Sequence, residues 1–395
     1  MPPRRRDEIR IVAALFSILF LGVADNQILS PLLPAIRAQF AKSSSNMAFL
    51  FTGYSFSAGI SVLVWGPVSD RFGRKHGLLN GLILFCAGSF ISFLSHDFYA
   101  LLAGRILTGI GASMLSLNSI SYAADFFPYA NRGWAMGSIF SSYFAALILG
   151  VPLGSWLGDQ FGWNVVFGTM GIIALILILS VQFMLPNLAT GTAVARRIPL
   201  SEYAGRYLSY LRSQSSFSAL LSSLFASAGT MGFLAFIGVW LHDTFGVSGS
   251  RVGLVFLIAG AAALLASPLA GSIADRIGKR LQFVISSVTL ALFLFILPNL
   301  HWGAALFGIF GLVSLSAAFR QGPMEAVLTE IVSSESRGTF VALKNSFSQL
   351  GIGLATLLSG ILFEKSGYSA VCNLGVICCL LSAGAMVFTF RHRNL

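Results

Sequence analysis

Long apolar stretches, separated by short polar connections, run along almost the whole chain. Each stretch has roughly the 20 residues that a helix needs to cross a bilayer. The pattern predicts twelve membrane-spanning helices, numbered here as spans 1 to 12 in chain order. Their predicted limits are residues 11–36, 47–67, 77–95, 99–123, 135–157, 165–185, 217–240, 252–273, 282–300, 303–329, 339–362 and 370–391.

The composition supports an all-α membrane protein. Of the 395 residues, 56% are hydrophobic and only 10% are charged, whereas soluble domains carry about 25% charged residues. An ordinary soluble enzyme is therefore excluded. The net charge of +11 would suggest a nucleic-acid partner in a soluble protein. Here the basic residues recur between apolar spans at every second connection, so we expect no nucleic acid and a lipid bilayer as the surroundings.

The distribution of basic residues predicts the orientation. An even number of spans places both termini on one side, and most lysines and arginines outside the spans fall on that side. The other side has only Arg37, Lys42, Arg251 and Lys365. Because basic connections stay in the cytoplasm, both termini are expected there, in a plasma (inner) membrane. A signal peptide cleaved near Ala24 is the alternative, but its removal would leave an odd number of spans and break the charge asymmetry.

The chain contains an internal repeat with an offset of 205 residues, the separation between Gly66 and Gly271. The segment from Gly66 to Lys75 returns as the segment from Gly271 to Arg280. The same shift aligns further residues, namely Asp125 with Glu330, Arg132-Gly133 with Arg337-Gly338, Asp159 with Glu364, and Gly162-Trp163 with Gly367-Tyr368. Since each half holds six spans, both copies cross the membrane with the same topology.

The repeat predicts the domain organisation. We expect one six-helix bundle over residues 1–185, a cytoplasmic linker over 186–216, and a second bundle over 217–395. Within the linker, Leu200 to Leu211 is predicted to form an interfacial helix. Four cysteines fall inside apolar stretches with no metal-type spacing, so we expect packed thiols, with no metal site and no disulfide.

Three motifs carry a resemblance to a known family. The segment from Gly66 to Lys75 resembles the loop motif G-x-x-x-D-R-x-G-R-[RK] of the major facilitator superfamily. Arg105, followed by Gly109, Gly111 and Ala112, is similar to the fourth-helix motif R-x-x-x-G-x-G-x-A of the same superfamily, with the alanine one position early. The resemblance implies twelve helices arranged as two six-helix bundles related by pseudo-two-fold symmetry.

The third motif lies in span 5. Gly150, Pro152 and Gly154 resemble the antiporter motif G-P-x-x-G-G, with the proline one position late and Ser155 in place of the last glycine. This resemblance favours the proton-coupled drug and sugar efflux branch of the superfamily.

Charged residues inside spans are functional candidates, because insertion of a charge at a helix centre costs about 2.5–3.5 kcal/mol. Asp25 precedes the polar residues Asn26 and Gln27 in span 1. A carboxyl group there could take and release a proton near neutrality, or it could only brace span 1 through hydrogen bonds. The resemblance implicates Arg105 in proton coupling; the alternative is a helix-packing face with Arg105 reaching outward.

The second half contributes three more charges. Arg320 and Glu325 flank a Gly-Pro pair in span 10, where a broken helix typical of transport sites is expected. The two lie about 140° apart around the helix, so we expect them not to pair. Lys344 in span 11 is the predicted counter-charge of Glu325. This pair either contributes to a substrate cavity with Asp25, Asn26, Arg105 and Arg320, or only locks the second bundle.

The loop motif and its repeat predict a gate on the terminal side of the membrane. The resemblance implies that opposed charges at helix ends latch the bundles there, while retention of basic loops in the cytoplasm explains the arginines alone. The candidate residues are Gly66, Asp70, Arg71, Gly73, Arg74, Asp125, Arg132, Asp275, Arg276, Glu330 and Arg337.

These features predict a secondary transporter that works by alternating access, coupled to protons, and exports a small molecule such as a drug or sugar. The chain lacks a G-x-x-x-x-G-K-[ST] phosphate loop, so ATP does not drive it directly, and neither catalysis nor a cofactor is expected. We expect a monomer. The alternatives are a proton-coupled importer of a small metabolite or organic anion, and a non-transporting membrane sensor or scaffold.

Overall fold

A computed structural model of the chain describes residues 5–188, 200–332 and 337–389. Eleven helical stretches within these residues are long and apolar enough to cross a membrane. The last of them contains two spans, because Gly367 has a non-helical backbone in its middle. The predicted twelve spans are therefore present, except that the predicted end of span 12 lies beyond the described residues.

The first half contains six spans with one interruption. Spans 1 to 4 are Arg5–Phe40, Ser44–Phe72, Arg74–Phe93 and Phe98–Phe126, and span 6 is Trp163–Met184. Span 5 consists of Tyr129–Phe140, Ser142–Ala145, a π-helical turn at Ala146–Gly150, and Val151–Phe161.

The second half repeats this order. Spans 7 to 10 are Gln214–Phe245, Gly249–Ile277, Lys279–Ile296 and Ala304–Glu330, and spans 11 and 12 share the stretch Arg337–Thr389. Between the halves, a helix over Leu200–Arg212 confirms the helix predicted in the linker. The predicted linker residues 189–199 lie outside the described part of the chain.

Glycine turns reproduce the sequence repeat in the backbone. Gly73, between spans 2 and 3, has φ 96°, and Gly278, between spans 8 and 9, has φ 90°. Gly162 and Gly367 have φ 95° and 75° at the turns after spans 5 and 11. Residues other than glycine rarely adopt such positive φ angles. The two glycines of each pair, Gly73 with Gly278 and Gly162 with Gly367, are 205 residues apart, so the two halves of the chain turn at equivalent places.

Two sides of the membrane are distinguished below. The terminal side is the one on which span 1 begins, and the far side is the opposite one. Spans 1 and 2 of the first bundle pack against spans 7 and 11 of the second, and span 5 packs against span 8. The interface between the bundles is therefore formed by spans from both repeats.

Candidate functional site

A fully buried ion pair lies inside the first bundle. One guanidinium nitrogen of Arg105 in span 4 donates to both carboxylate oxygens of Asp25 in span 1, at 2.9 and 2.8 Å. Both side chains are 0% exposed. Asp25 is 15 residues before the end of span 1, which places it about 22 Å from the far-side end of that helix. The alternative in which Arg105 reaches outward is wrong, because Asp25 supplies its counter-charge inside the bundle.

The remaining donors of Arg105 are not satisfied. Its Nε and Nη2 atoms are buried and have no hydrogen-bond partner within the described residues. The guanidinium group lies over the ring of Tyr54, 4.8 Å from the centroid, and 5.5 Å from that of Phe167. Such cation–π contacts stabilise the charge but do not replace hydrogen bonds, and each unpartnered buried donor costs about 1–3 kcal/mol. A pair whose role was only structural would be expected to have these buried donors hydrogen-bonded.

The rest of the small-residue face of span 4 is used for helix packing. A Cβ atom on Gly109 would overlap the carbonyl of Tyr54 in span 2. Thr108 and Ser119 are completely buried. Only Ser116 remains partly accessible. The helix-packing alternative therefore holds for most of this face.

A second ion pair, between spans 10 and 11, is open to solvent on one side. The ammonium group of Lys344 donates to Glu325 at 2.6 Å, and the Gln321 amide donates to the same carboxylate at 3.0 Å. The side chain of Lys344 is 8% exposed, whereas that of Glu325 is 40% exposed. Glu325 is five residues from the end of span 10, about 8 Å from its terminal-side end. The predicted pairing is confirmed.

Arg320 lies apart from this pair, as its spacing predicted. It is 4% exposed and donates to the Ala226 carbonyl at 2.8 Å, to the Thr230 hydroxyl at 2.6 Å and to the Cys379 sulfur at 3.6 Å. These acceptors belong to spans 7 and 12, so Arg320 lies in the core of the second bundle. They are all formally neutral, so these bonds do not compensate its charge.

Span 10 is not broken at its Gly-Pro pair. The helix Ala304–Glu330 continues through Pro323, so the predicted break is wrong. The irregular helix is span 5, where the chain forms a π-helical turn at Ala146–Gly150. Such turns occur frequently at functional sites.

The antiporter-like motif adjoins that irregular turn. A Cβ atom on Gly150 would lie 2.9 Å from Ala24 of span 1, and one on Gly154 would overlap Ile28. On the other side, a Cβ atom on Gly253 of span 8 would lie 3.0 Å from the Cα atom of Pro152. The motif therefore brings spans 1, 5 and 8 into close contact across the bundle interface.

Tyr143 of span 5 lies near the second ion pair, and its importance was not anticipated. Its hydroxyl lies near Ser116 and within electrostatic range of Glu325 in the other bundle. Tyr54, which covers Arg105, interacts with Asn26 and with Tyr143. The side chain of Tyr143 is 38% exposed. Polar side chains therefore lie within electrostatic range of both ion pairs.

Hydrogen bonds between the bundles close the far side. Arg37 donates to both oxygens of Asp243 at 2.6 and 2.8 Å. Deeper in the seam, Ser30 donates to the Leu234 carbonyl at 2.7 Å, and Thr52 donates to the Gly353 carbonyl at 3.1 Å. These contacts join the two bundles on the far side, whereas Glu325, whose side chain is 40% exposed, lies near the terminal-side end of span 10.

The described part of the loop motif joins helices of one bundle. Arg74 contacts Asp125 at 3.3 Å and donates to Ser69 at 2.6 Å. Arg132 donates to the Phe127 carbonyl at 3.4 Å. Asp275 and Arg276 are exposed. The side chains of the remaining charged candidates are not among those described, namely Asp70, Arg71, Glu330 and Arg337. The predicted latch between bundles on this side stays a prediction.

Comparison with known proteins gives consistent matches over the whole length. The family described as Major Facilitator Superfamily matches residues 15–217 and 219–394. A relative from Bacillus subtilis (strain 168), described as the uncharacterized MFS-type transporter YwfA, is 26% identical over 392 residues. The match covers 97% of this chain and 92% of that relative.

Two solved structures share the fold. The crystal structure of a D-xylose-proton symporter superposes with a TM-score of 0.76 at 18% identity, covering 95% of this chain and 96% of the other. A bacterial homologue of the human lysosomal transporter Spinster, in an inward-facing and unoccupied conformation, gives a TM-score of 0.73 at 18% identity. That match covers 98% of this chain and 97% of the other.

Proposed function

Since this chain belongs to the Major Facilitator Superfamily and is therefore a multi-pass membrane transporter rather than an enzyme, we propose that it couples export of a small molecule to proton entry. The observation that carries the proposal is the Glu325 and Lys344 pair, in which the carboxylate is 40% exposed and the ammonium group is buried. Water can deliver a proton to Glu325. Once Glu325 is neutral, the buried charge of Lys344 loses its partner, and such a change favours rearrangement.

The first bundle holds the complementary element. The pair of Asp25 and Arg105 is sealed in this conformation, with two guanidinium donors free of partners within the described residues. Movement of the bundles would expose this pair to the far side and let Asp25 take a proton there. Substrate and proton then compete, because protonation of either carboxyl group alters the charge of the cavity.

The antiporter-like motif of span 5 supports export over import. The segment containing Gly150, Pro152 and Gly154 is packed tightly against spans 1 and 8. We infer that this packing keeps the far side shut while the site is open to the terminal side, which would limit leakage during export. We place the terminal side in the cytoplasm, because basic connections are retained there.

The proposal is tested in proteoliposomes with purified protein. A thermal-shift screen against sugars, amphipathic drugs and organic acids first identifies a ligand, since compounds that bind the folded state raise its stability. That ligand is then added while the pH inside the vesicles is recorded. Glu325→Gln should abolish ligand-driven proton movement, whereas the surface variant Asp7→Asn should not. Unchanged proton movement in Glu325→Gln and in Asp25→Asn would refute the coupling.

One observation favours a second candidate, the import of an organic anion. Among the described residues, the bonds of Arg320 go to neutral acceptors. The charges inside the spans, namely Asp25, Arg105, Arg320, Glu325 and Lys344, therefore leave one positive charge uncompensated. An anionic substrate would balance it. The sign of the pH change separates import from export, because a symporter acidifies the compartment into which substrate moves.

A further inference from the structure

We propose that Asp159 and Glu364 hold the far side shut by capping the N-terminus of a helix in the opposite bundle. These two residues are equivalent in the repeat, being separated by 205 positions. Each lies near the far-side end of a span, Asp159 in span 5 and Glu364 in span 11. They are positioning residues for the conformational step and touch neither ion pair described above.

Asp159 caps span 8. Its carboxylate accepts the backbone N–H of Ser250 at 2.7 Å and also the Ser250 hydroxyl. Ser250 is the second residue of the helix, and the residue at the helix start, Ser248, makes no side-chain capping bond. The first bundle therefore supplies the cap that the second bundle lacks.

Glu364 caps span 2 in the reverse direction. Its carboxylate accepts the backbone N–H of Ser45 at 3.1 Å and also the Ser45 hydroxyl. Ser45 is the second residue of span 2, and Ser45 and Ser250 are again 205 positions apart. Two carboxylates and two serines thus form reciprocal contacts that follow the pseudo-two-fold relation between the bundles.

The chemistry of these contacts suits a reversible gate. The first N–H groups of a helix have no partner within the helix, and the helix dipole favours a negative charge beside them. In the closed state each carboxylate accepts a free N–H group and places a negative charge beside the helix dipole. In the open state water solvates the N–H groups and the carboxylates instead. The free-energy difference between the closed and open states is therefore small, so the gate can open. Arg37 and Asp243 also join the bundles, but residue 242, the repeat equivalent of Arg37, is a histidine, so that pair has no symmetric copy.

The inference rests on alternating access alone and is independent of proton coupling. It is therefore tested without substrate, at a single pH. Spin labels are attached to Leu94→Cys and His301→Cys, which are exposed positions near the far side in different bundles. The native cysteines are buried and are expected to stay unlabelled. Distances measured by double electron–electron resonance give the ratio of far-side-open to far-side-closed protein.

The capping residues are then truncated. Asp159→Ala and Glu364→Ala should each raise the open-to-closed ratio about threefold, and the double variant about tenfold, as expected for loss of exposed helix caps. Asp159→Asn and Glu364→Gln keep an acceptor oxygen and should shift the ratio less. If an alanine variant does not fold, Ser250→Ala and Ser45→Ala remove only the hydroxyl donors and should act in the same direction.

Asp97 provides the matched control. It caps its own span 4, accepting the N–H groups of Tyr99 and Ala100 at 2.8 and 2.9 Å, so no bundle contact is involved. Asp97→Ala should lower thermal stability and leave the open-to-closed ratio unchanged. Wild-type distances in both folded alanine variants, or an equal shift in Asp97→Ala, would overturn the proposal.

Discussion

Breaking the buried pair of Asp25 and Arg105 separates a structural role from a coupling role. Asp25→Leu leaves the guanidinium group buried without a counter-charge, and arginine cannot lose its proton. Breaking a buried pair in this way costs about 3–5 kcal/mol, and Arg105 already has two nitrogens without partners within the described residues. We expect Asp25→Leu to be strongly destabilised at every pH from about 5 to 8.

Arg105→Met should behave differently, because the carboxyl group left behind can take a proton. Above the pKa of a carboxyl group, protonation costs about 1.4 kcal/mol per pH unit. The destabilisation of Arg105→Met should therefore shrink as the pH falls, while that of Asp25→Leu should not. Scanning fluorimetry of the purified variants at about pH 5.5 and 7.5 measures both dependences.

The double variant Asp25→Leu/Arg105→Met completes the comparison. Replacing a buried ion pair by apolar side chains of similar size is often neutral or stabilising, so the double variant should regain most of the lost stability. If the pair takes part in proton coupling, the double variant should still move no protons in response to ligand in proteoliposomes. A double variant as unstable as Asp25→Leu would refute the reasoning about burial. One that couples as well as the wild type would show that the pair is only structural.

Three further predictions follow from the interface. Tyr143→Phe removes the hydroxyl near Ser116 and Glu325 and should reduce ligand-driven proton movement without reducing ligand binding, whereas the surface variant Tyr99→Phe should alter neither. Gly238→Ala places a methyl group against a span 1 carbonyl, so spin-label distances should show a larger far-side-open population. Glu364 caps span 2 as a carboxylate, and protonation would remove that negative charge. Closure of the far side should therefore weaken as the pH falls below the range in which a carboxyl group is ionised, and in Glu364→Gln this dependence should weaken.

The overall fold follows from the apolar pattern, because a bilayer accepts only helices or closed barrels and the span lengths identify helices. The repeat also survives in the structure, since Gly73 and Gly278 make equivalent turns. Pairing within the second bundle was predictable because Glu325 and Lys344 lie on consecutive spans. Asp25 and Arg105 were both recognised as candidates, but nothing in their spacing revealed that spans 1 and 4 bring them together.

Other features have no signal in a single sequence. Pro323 suggested a break, yet neighbouring groups in a helical bundle can accommodate a missing N–H, and the helix continues. The π-helical turn at Ala146–Gly150 follows from local packing and leaves no distinct motif. Tyr143 looks like any lipid-facing aromatic residue. The 205-residue offset shows that Asp159 and Glu364 are equivalent in the repeat. It does not show that each of them contacts a helix of the opposite bundle.

The separation of the ion pairs has an electrical consequence. Each bundle contains one acid and one base in contact, Asp25 with Arg105 and Glu325 with Lys344, so each pair carries no net charge as its bundle moves. A unit charge that crosses the full field gains about 2.3 kcal/mol per 100 mV, but a neutral pair gains almost nothing. The two pairs should therefore add little to the voltage dependence of the return of the empty carrier. Arg320 forms its bonds with neutral acceptors, so the membrane voltage should act on the second bundle mainly through this residue.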